Sequence, residues 1–161
     1  MKSPIRCTAA ALLLWSFAAS AAVNALPPKF DPARDAAGDV AHAVALARTQ
    51  GKRVIVDVGG EWCTWCHILD RFIEANADVR ALVDANYVWV KVNFSKENRN
   101  APLLSRWPRI AGYPHLFVLD GTGALLHSQD TGALEAGNGY DRHKVIELLR
   151  RWAPAPRLRA T

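Results

Sequence analysis

A β-branched run, Arg53-Val54-Ile55-Val56-Asp57-Val58, ends in Gly59-Gly60 and leads within two residues to Cys63-Thr64-Trp65-Cys66-His67. The run is short, apolar and bounded by glycine, so it predicts a strand buried on both faces. After the cysteines, Ile68, Leu69, Phe72 and Ile73 recur at helical spacing and predict a helix over about 63–75. A cysteine pair is thus set where a buried strand turns into a helix. That junction restricts fold and chemistry more than any other stretch of the chain.

The remaining pattern supplies the frame. Val40, Ala43, Val44 and Leu46 predict a helix over 33–50, ended by Gly51-Lys52. A shorter helical pattern covers 78–86, and 87–94 reads as a second strand. The stretch 98–110 is polar at first, with a short helical piece around Leu103-Leu104. A third strand is expected at 116–120, and Gly121-Thr122-Gly123 turns it into a fourth at 124–128. Residues 131–140 read as a glycine-rich loop, and Asp141 caps a last helix to about Trp152, with Pro154 and Pro156 beyond it. A helix, a βαβ unit, a helix, a hairpin and a helix predict an α/β fold: a mixed sheet with helices on both faces.

At 161 residues there is room for one domain with a real core. The amino terminus stands apart. Lys2 and Arg6 precede an apolar run over 9–19, and Ala19-Ser20-Ala21 has the small-x-small form of a cleavage site. Residues 1–21 are therefore expected to be a secretory signal peptide, the run being short of the ~20 residues of a membrane span. Residues 22–30 form a proline-containing leading segment, 31–156 the domain, and 157–161 a tail. Loss of the signal removes Lys2, Arg6 and Cys7, and lowers the formal charge from +5 to +3. With no Lys/Arg run, no nucleic-acid partner is expected. A periplasmic or secreted location follows, where Cys63 and Cys66 pair unless something keeps them reduced. The ring they close is a poor staple, so their purpose is chemical.

Cys-x-x-Cys-His fits three chemistries. A dithiol couple needs its first cysteine at a helix N-terminus, where unpaired N–H groups and the helix dipole favour a thiolate. Cys63 has that setting, and Cys66, one turn in, would be the resolving thiol. A c-type haem would be alkylated by both cysteines and ligated by His67, yet the one methionine is Met1, so its second axial ligand would have to be another histidine. A structural zinc needs four ligands, and no second cysteine pair exists. The dithiol reading is preferred, with a c-type cytochrome second and a non-catalytic binding domain with a structural disulfide third. No metal or other cofactor is expected.

Taken together, "VIVDVGGEWCTWC", "VKVNF" and "RIAGYPHLFVLDGTG" resemble the thioredoxin superfamily, nearest its secreted members and the C-terminal domain of DsbD-type thiol:disulfide interchange proteins. The resemblance covers about 31–154 and implies a thioredoxin fold and thiol–disulfide exchange. It implies that Cys63 attacks a partner's disulfide and Cys66 resolves the mixed disulfide. Asp57, six residues before Cys63, matches a buried carboxylate that takes the Cys66 proton, with Lys91 beside it; a solvated edge-strand lysine is an equal alternative for Lys91. Pro114 matches a cis-proline facing the disulfide, after Tyr113. Trp62, Trp65 and Tyr113 are expected to dock the substrate, although Trp65 stands where thioredoxins have proline. The implied partners are exported cysteine-containing proteins and a membrane or periplasmic thiol donor, with the protein a monomer and a reductase or isomerase. The stretches 98–110 and 131–140 are longer than the family's equivalents.

Overall fold

The computed structural model describes residues 25–155; the expected signal peptide and tail lie outside them. Helix α1 (Ala36–Gln50) begins three residues later than its apolar pattern, because the Asp35 carboxylate caps it by accepting from the Gly38 N–H at 3.1 Å. Its buried face is built from small residues: Ala43 and Ala47 are wholly buried, so the helix lies close on the sheet. Strand β1 (Arg53–Gly59) follows, then α2 (Thr64–Ala75), α3 (Ala77–Asn86) and β2 (Tyr87–Asn93). A single turn, α4 (Ala101–Leu104), precedes β3 (His115–Leu119) and β4 (Leu125–Asp130).

The sheet order is β2-β1-β3-β4, with β1 parallel to β2 and antiparallel to β3, and β3 antiparallel to β4. This is the expected mixed sheet. Side chains alternate across β1, so Val54, Val56 and Val58 pack with α1 and α4, while Ile55 packs with α2, α3 and the last helix. Asp57 shares the Ile55 face. Each half of the core is therefore closed by one strand read alternately up and down.

The stretch 131–140 is not a plain loop, which corrects the sequence reading. A 3-10 turn (Thr131–Leu134) leads into a two-stranded ribbon, β5 (Glu135–Ala136) and β6 (Gly139–Tyr140). Thr131 Oγ1 donates to the Pro114 carbonyl at 2.6 Å, and Leu134 and Tyr140 are buried. Two anchors spaced six apart leave no periodic pattern to read. Helix α5 (Arg142–Arg151) then starts where expected, its Asp141 cap accepting from the His143 and Lys144 N–H groups.

Candidate active site

Cys63 is the residue on which α2 starts. Its backbone is extended, and its Sγ accepts from the Cys66 N–H at 3.1 Å while its carbonyl also receives that N–H. One N–H of the first turn, shared with the Cys63 carbonyl, is thus aimed at Cys63 sulfur, and the helix dipole favours negative charge there. Cys63 and Cys66 are disulfide-bonded. Both are nearly enclosed, at 3% and 1% exposed, so burial does not rank the two sulfurs. The helix N-terminus does.

The sulfur of Cys66 sits over Gly59. A Cβ there would overlap Cys66 Sγ and lie 3.1 Å from Phe30 Cζ. Gly59 is therefore the residue that lets strand, disulfide and Phe30 meet. Gly59→Ala is expected to destabilise the oxidised protein by about 1–3 kcal/mol through overpacking, read as a lower urea midpoint. An unchanged midpoint would mean that Cys66 is not seated there.

Asp57 is the next side chain along that face and is 1% exposed. Its Oδ2 accepts from Lys91 Nζ and Trp89 Nε1, each at 3.2 Å, whereas Oδ1 has no partner among the described residues. The parallel register sets Lys91 directly opposite Asp57. Burial raises the Asp57 pKa, and the Lys91 charge only partly opposes it. Lys91 is no solvated edge lysine: its side chain is 9% exposed, and Nζ also donates to Asp70 Oδ1 at 2.6 Å. Burial pulls the Lys91 ammonium down, but Asp57 and Asp70 more than reverse this and hold it above its ordinary range.

Aromatic residues enclose the couple. Trp62 is exposed, and Tyr113 meets it edge to face while stacking on Phe94 at 4.9 Å. Trp65 packs edge to face against Tyr140, whose hydroxyl donates to the Trp65 carbonyl at 3.4 Å. The Tyr113–Pro114 bond is cis. The β1–β3 register ends at Val58 opposite His115, which carries the buried Pro114 to the level of Gly59. Trp65 and Tyr113 both pack against the cluster of Phe30, Cys63 and Cys66. His67 Nε2 bonds the Glu61 carbonyl at 2.9 Å, the role of an ordinary first-turn residue.

Three participants were missed in the sequence. Asp70 lies four residues after Cys66 on α2, so helical spacing could have placed both on one face. Trp89 could have been found from its alternation with Lys91 along β2. Phe30 gave no such signal. Its ring is 1% exposed among the cysteines, with Lys91 Nζ 4.3 Å from the ring centroid. Its N–H donates to Glu61 Oε1 at 2.9 Å. Among the described residues, no group of three or more His, Cys, Asp or Glu is arranged to hold a metal ion.

The model of a family described as thioredoxin-like matches residues 35–121. The thiol:disulfide interchange protein DsbD of Colwellia psychrerythraea is 28% identical over 102 residues, which are 62% of this chain and 16% of that protein. The chain thus spans about a sixth of the length of that relative. A disulphide isomerase from Xylella fastidiosa Temecula1 superposes with a TM-score of 0.66 at 24% identity, over 80% of this chain and 97% of that one. The oxidised C-terminal domain of Neisseria meningitidis DsbD gives 0.55 at 21% identity, over 77% and 98%. These two likenesses establish the fold. The family sets the cytochrome reading aside: the chain belongs to the thioredoxin-like family, with Cys63 and Cys66 joined as a disulfide at the start of α2.

Proposed function

We propose that the protein works outside the cytoplasmic membrane, as a reductase or isomerase of disulfides in exported proteins. The observation that carries this is the Cys66 N–H directed at Cys63 Sγ at the start of α2. In the reduced protein the Cys63 thiolate attacks a substrate disulfide; a mixed disulfide forms, and one substrate sulfur leaves as a thiolate. Asp57 takes the proton from Cys66, whose sulfur then attacks Cys63, reforms the internal disulfide and releases the second substrate thiol. Lys91 holds the Asp57 carboxylate in place. Trp62, Trp65 and Tyr113 form the rim on which the partner lies, and the chain at Pro114 offers its backbone to an extended substrate. A thiol donor at the membrane or in the periplasm would restore the dithiol, and no cofactor beyond the couple is needed.

The export reading is supported by the pattern of residues 1–21, with the domain taken as 31–156 after the leading segment. Among the described residues no helix is long and apolar enough to cross a membrane. The buried Asp57 supports the reducing direction, since a proton acceptor next to the resolving thiol speeds release of reduced substrate. Equilibration with glutathione buffers tests it. A midpoint between roughly −180 and −270 mV fits a reductase or isomerase. One near about −120 mV would make the protein an oxidant and overturn that direction.

A further inference from the structure

Trp62 is the large apolar side chain left exposed among the described residues, at 58%. It is not loose. Its Nε1–H donates to the Phe94 carbonyl at 2.7 Å, and its ring meets Tyr113 edge to face at 5.6 Å. A Cβ on Gly60 would overlap the indole, so the glycine is what lets the ring lie back on Phe94. An exposed aromatic held from three sides has already lost the freedom that binding would take from it.

Beside this ring opens a cleft of about 490 Å³, lined by Trp62, Phe94, Ser95, Lys96, Glu97 and Arg99. Its walls are the two aromatic rings, and its rim is charged. Lys96 and Arg99 are exposed, and neither has an ion-pair partner within 4.0 Å among the described residues. Glu97 is exposed on the same rim, and the Ser95 hydroxyl, its own backbone and the neighbouring Lys96 charge hold its carboxyl below the usual range. Burial raises the pKa of the Tyr113 hydroxyl and the Arg99 charge partly opposes it, while the Tyr113 ring packs against the cluster of Phe30, Cys63 and Cys66. With Lys96 and Arg99 set against Glu97 alone, the rim keeps an excess of positive charge, and apolar walls beneath it are complementary to an apolar side chain with a carboxylate beside it.

We propose that this cleft is a specificity pocket of the thiol–disulfide site, selecting polypeptide substrates that carry an apolar residue followed by an acidic one next to the reactive cysteine. The proposal rests on the disulfide-reducing reading above and adds the class of substrate. Trp62 immediately precedes Cys63, so a residue that reaches the cleft is within one or two positions of the cysteine under attack, at about 3.3 Å per extended residue. The apolar side chain lies on Trp62 and Phe94. The carboxylate faces Lys96 and Arg99.

The test uses the reduced protein and two synthetic peptides with the same internal disulfide, one with Leu-Asp and one with Leu-Lys after the attacked cysteine. Reduction of the Leu-Asp peptide is expected to have a roughly five- to tenfold higher kcat/KM, and raising the salt to about 1 M should shrink the ratio. The double substitution Lys96→Glu, Arg99→Glu should bring the ratio to one or below. Because the readout is a ratio, each protein is its own reference. Equal rates for both peptides in the unsubstituted protein, or a ratio untouched by the double substitution, would overturn the pocket. So would reduction of dithiodipyridine, a small uncharged disulfide, but of neither peptide. Failure with dithiodipyridine as well would show something different: the thiols themselves do not exchange, and the reading beneath the proposal falls with it.

Discussion

Replacing Cys66 with serine is expected to turn the protein from a catalyst into a covalent trap, while Cys63→Ser lowers disulfide turnover to about a thousandth or less. Both expectations follow from the start of α2. The N–H that bonds Cys63 Sγ belongs to Cys66 itself, and serine keeps that backbone donor, so the thiolate of Cys63 stays favoured. Attack on a substrate disulfide therefore proceeds, but no second thiol can displace the substrate. Mixed disulfides should accumulate and disappear on adding dithiothreitol. With both cysteines present and reduced, iodoacetamide at neutral pH should label Cys63 first, because the thiolate is the reactive form. Faster labelling of Cys66, or covalent complexes formed by Cys63→Ser in place of Cys66→Ser, would reverse the roles.

Asp57→Asn is expected to have opposite effects on stability and on rate. Burial raises the carboxyl pKa in the folded protein, so between the unfolded value near 3.9 and the raised folded value the native state holds a proton that the unfolded chain has lost. Stability from this group is therefore full at low pH and falls as pH rises through that window. Asparagine removes the dependence, and Lys91 keeps Asp70 as a partner at 2.6 Å. The variant should be more stable than the natural protein at pH 7 by about 1–3 kcal/mol, with the difference closing below pH 4. Resolution of the mixed disulfide, by contrast, should slow about a hundredfold for want of the proton acceptor. Attack by Cys63 should change much less. Urea titrations at several pH values and rapid-mixing kinetics check the two halves; a pH–rate profile unaltered by the substitution would remove Asp57 from the reaction.

What was legible in the sequence was what repeats or what is local. The continuous β-branched run at 53–58 and the helical spacing after Cys66 marked β1 and α2, and glycine marked the turn between them. Cys63 and Cys66 could be named because they lie on that one continuous unit, and Asp57 because the resemblance implies a carboxylate six residues before Cys63. Lys91 stayed ambiguous, since an edge strand exposes a lysine unless acidic groups are brought over it, and Asp70 comes from another element. The ribbon at 135–140 was hidden because each of its strands has two residues, too few for a period of two to show. Phe30 was hidden for a stronger reason. Its contact with Glu61 spans 31 positions, and nothing in a leading segment rich in proline marks one aromatic residue as part of a redox site.

Phe30 also lies five positions ahead of the stretch that matches the family, which begins at residue 35. The Asn98 side chain holds the same segment by donating to the Pro32 carbonyl at 2.9 Å. A gene fragment begun at residue 35 and carried to the end of the domain would thus encode every strand of the sheet and both cysteines, yet leave the Cys66 sulfur and the Lys91 ammonium open to water on one side. The portable unit, for recombination or for protein engineering, begins at this strap and not at the first helix.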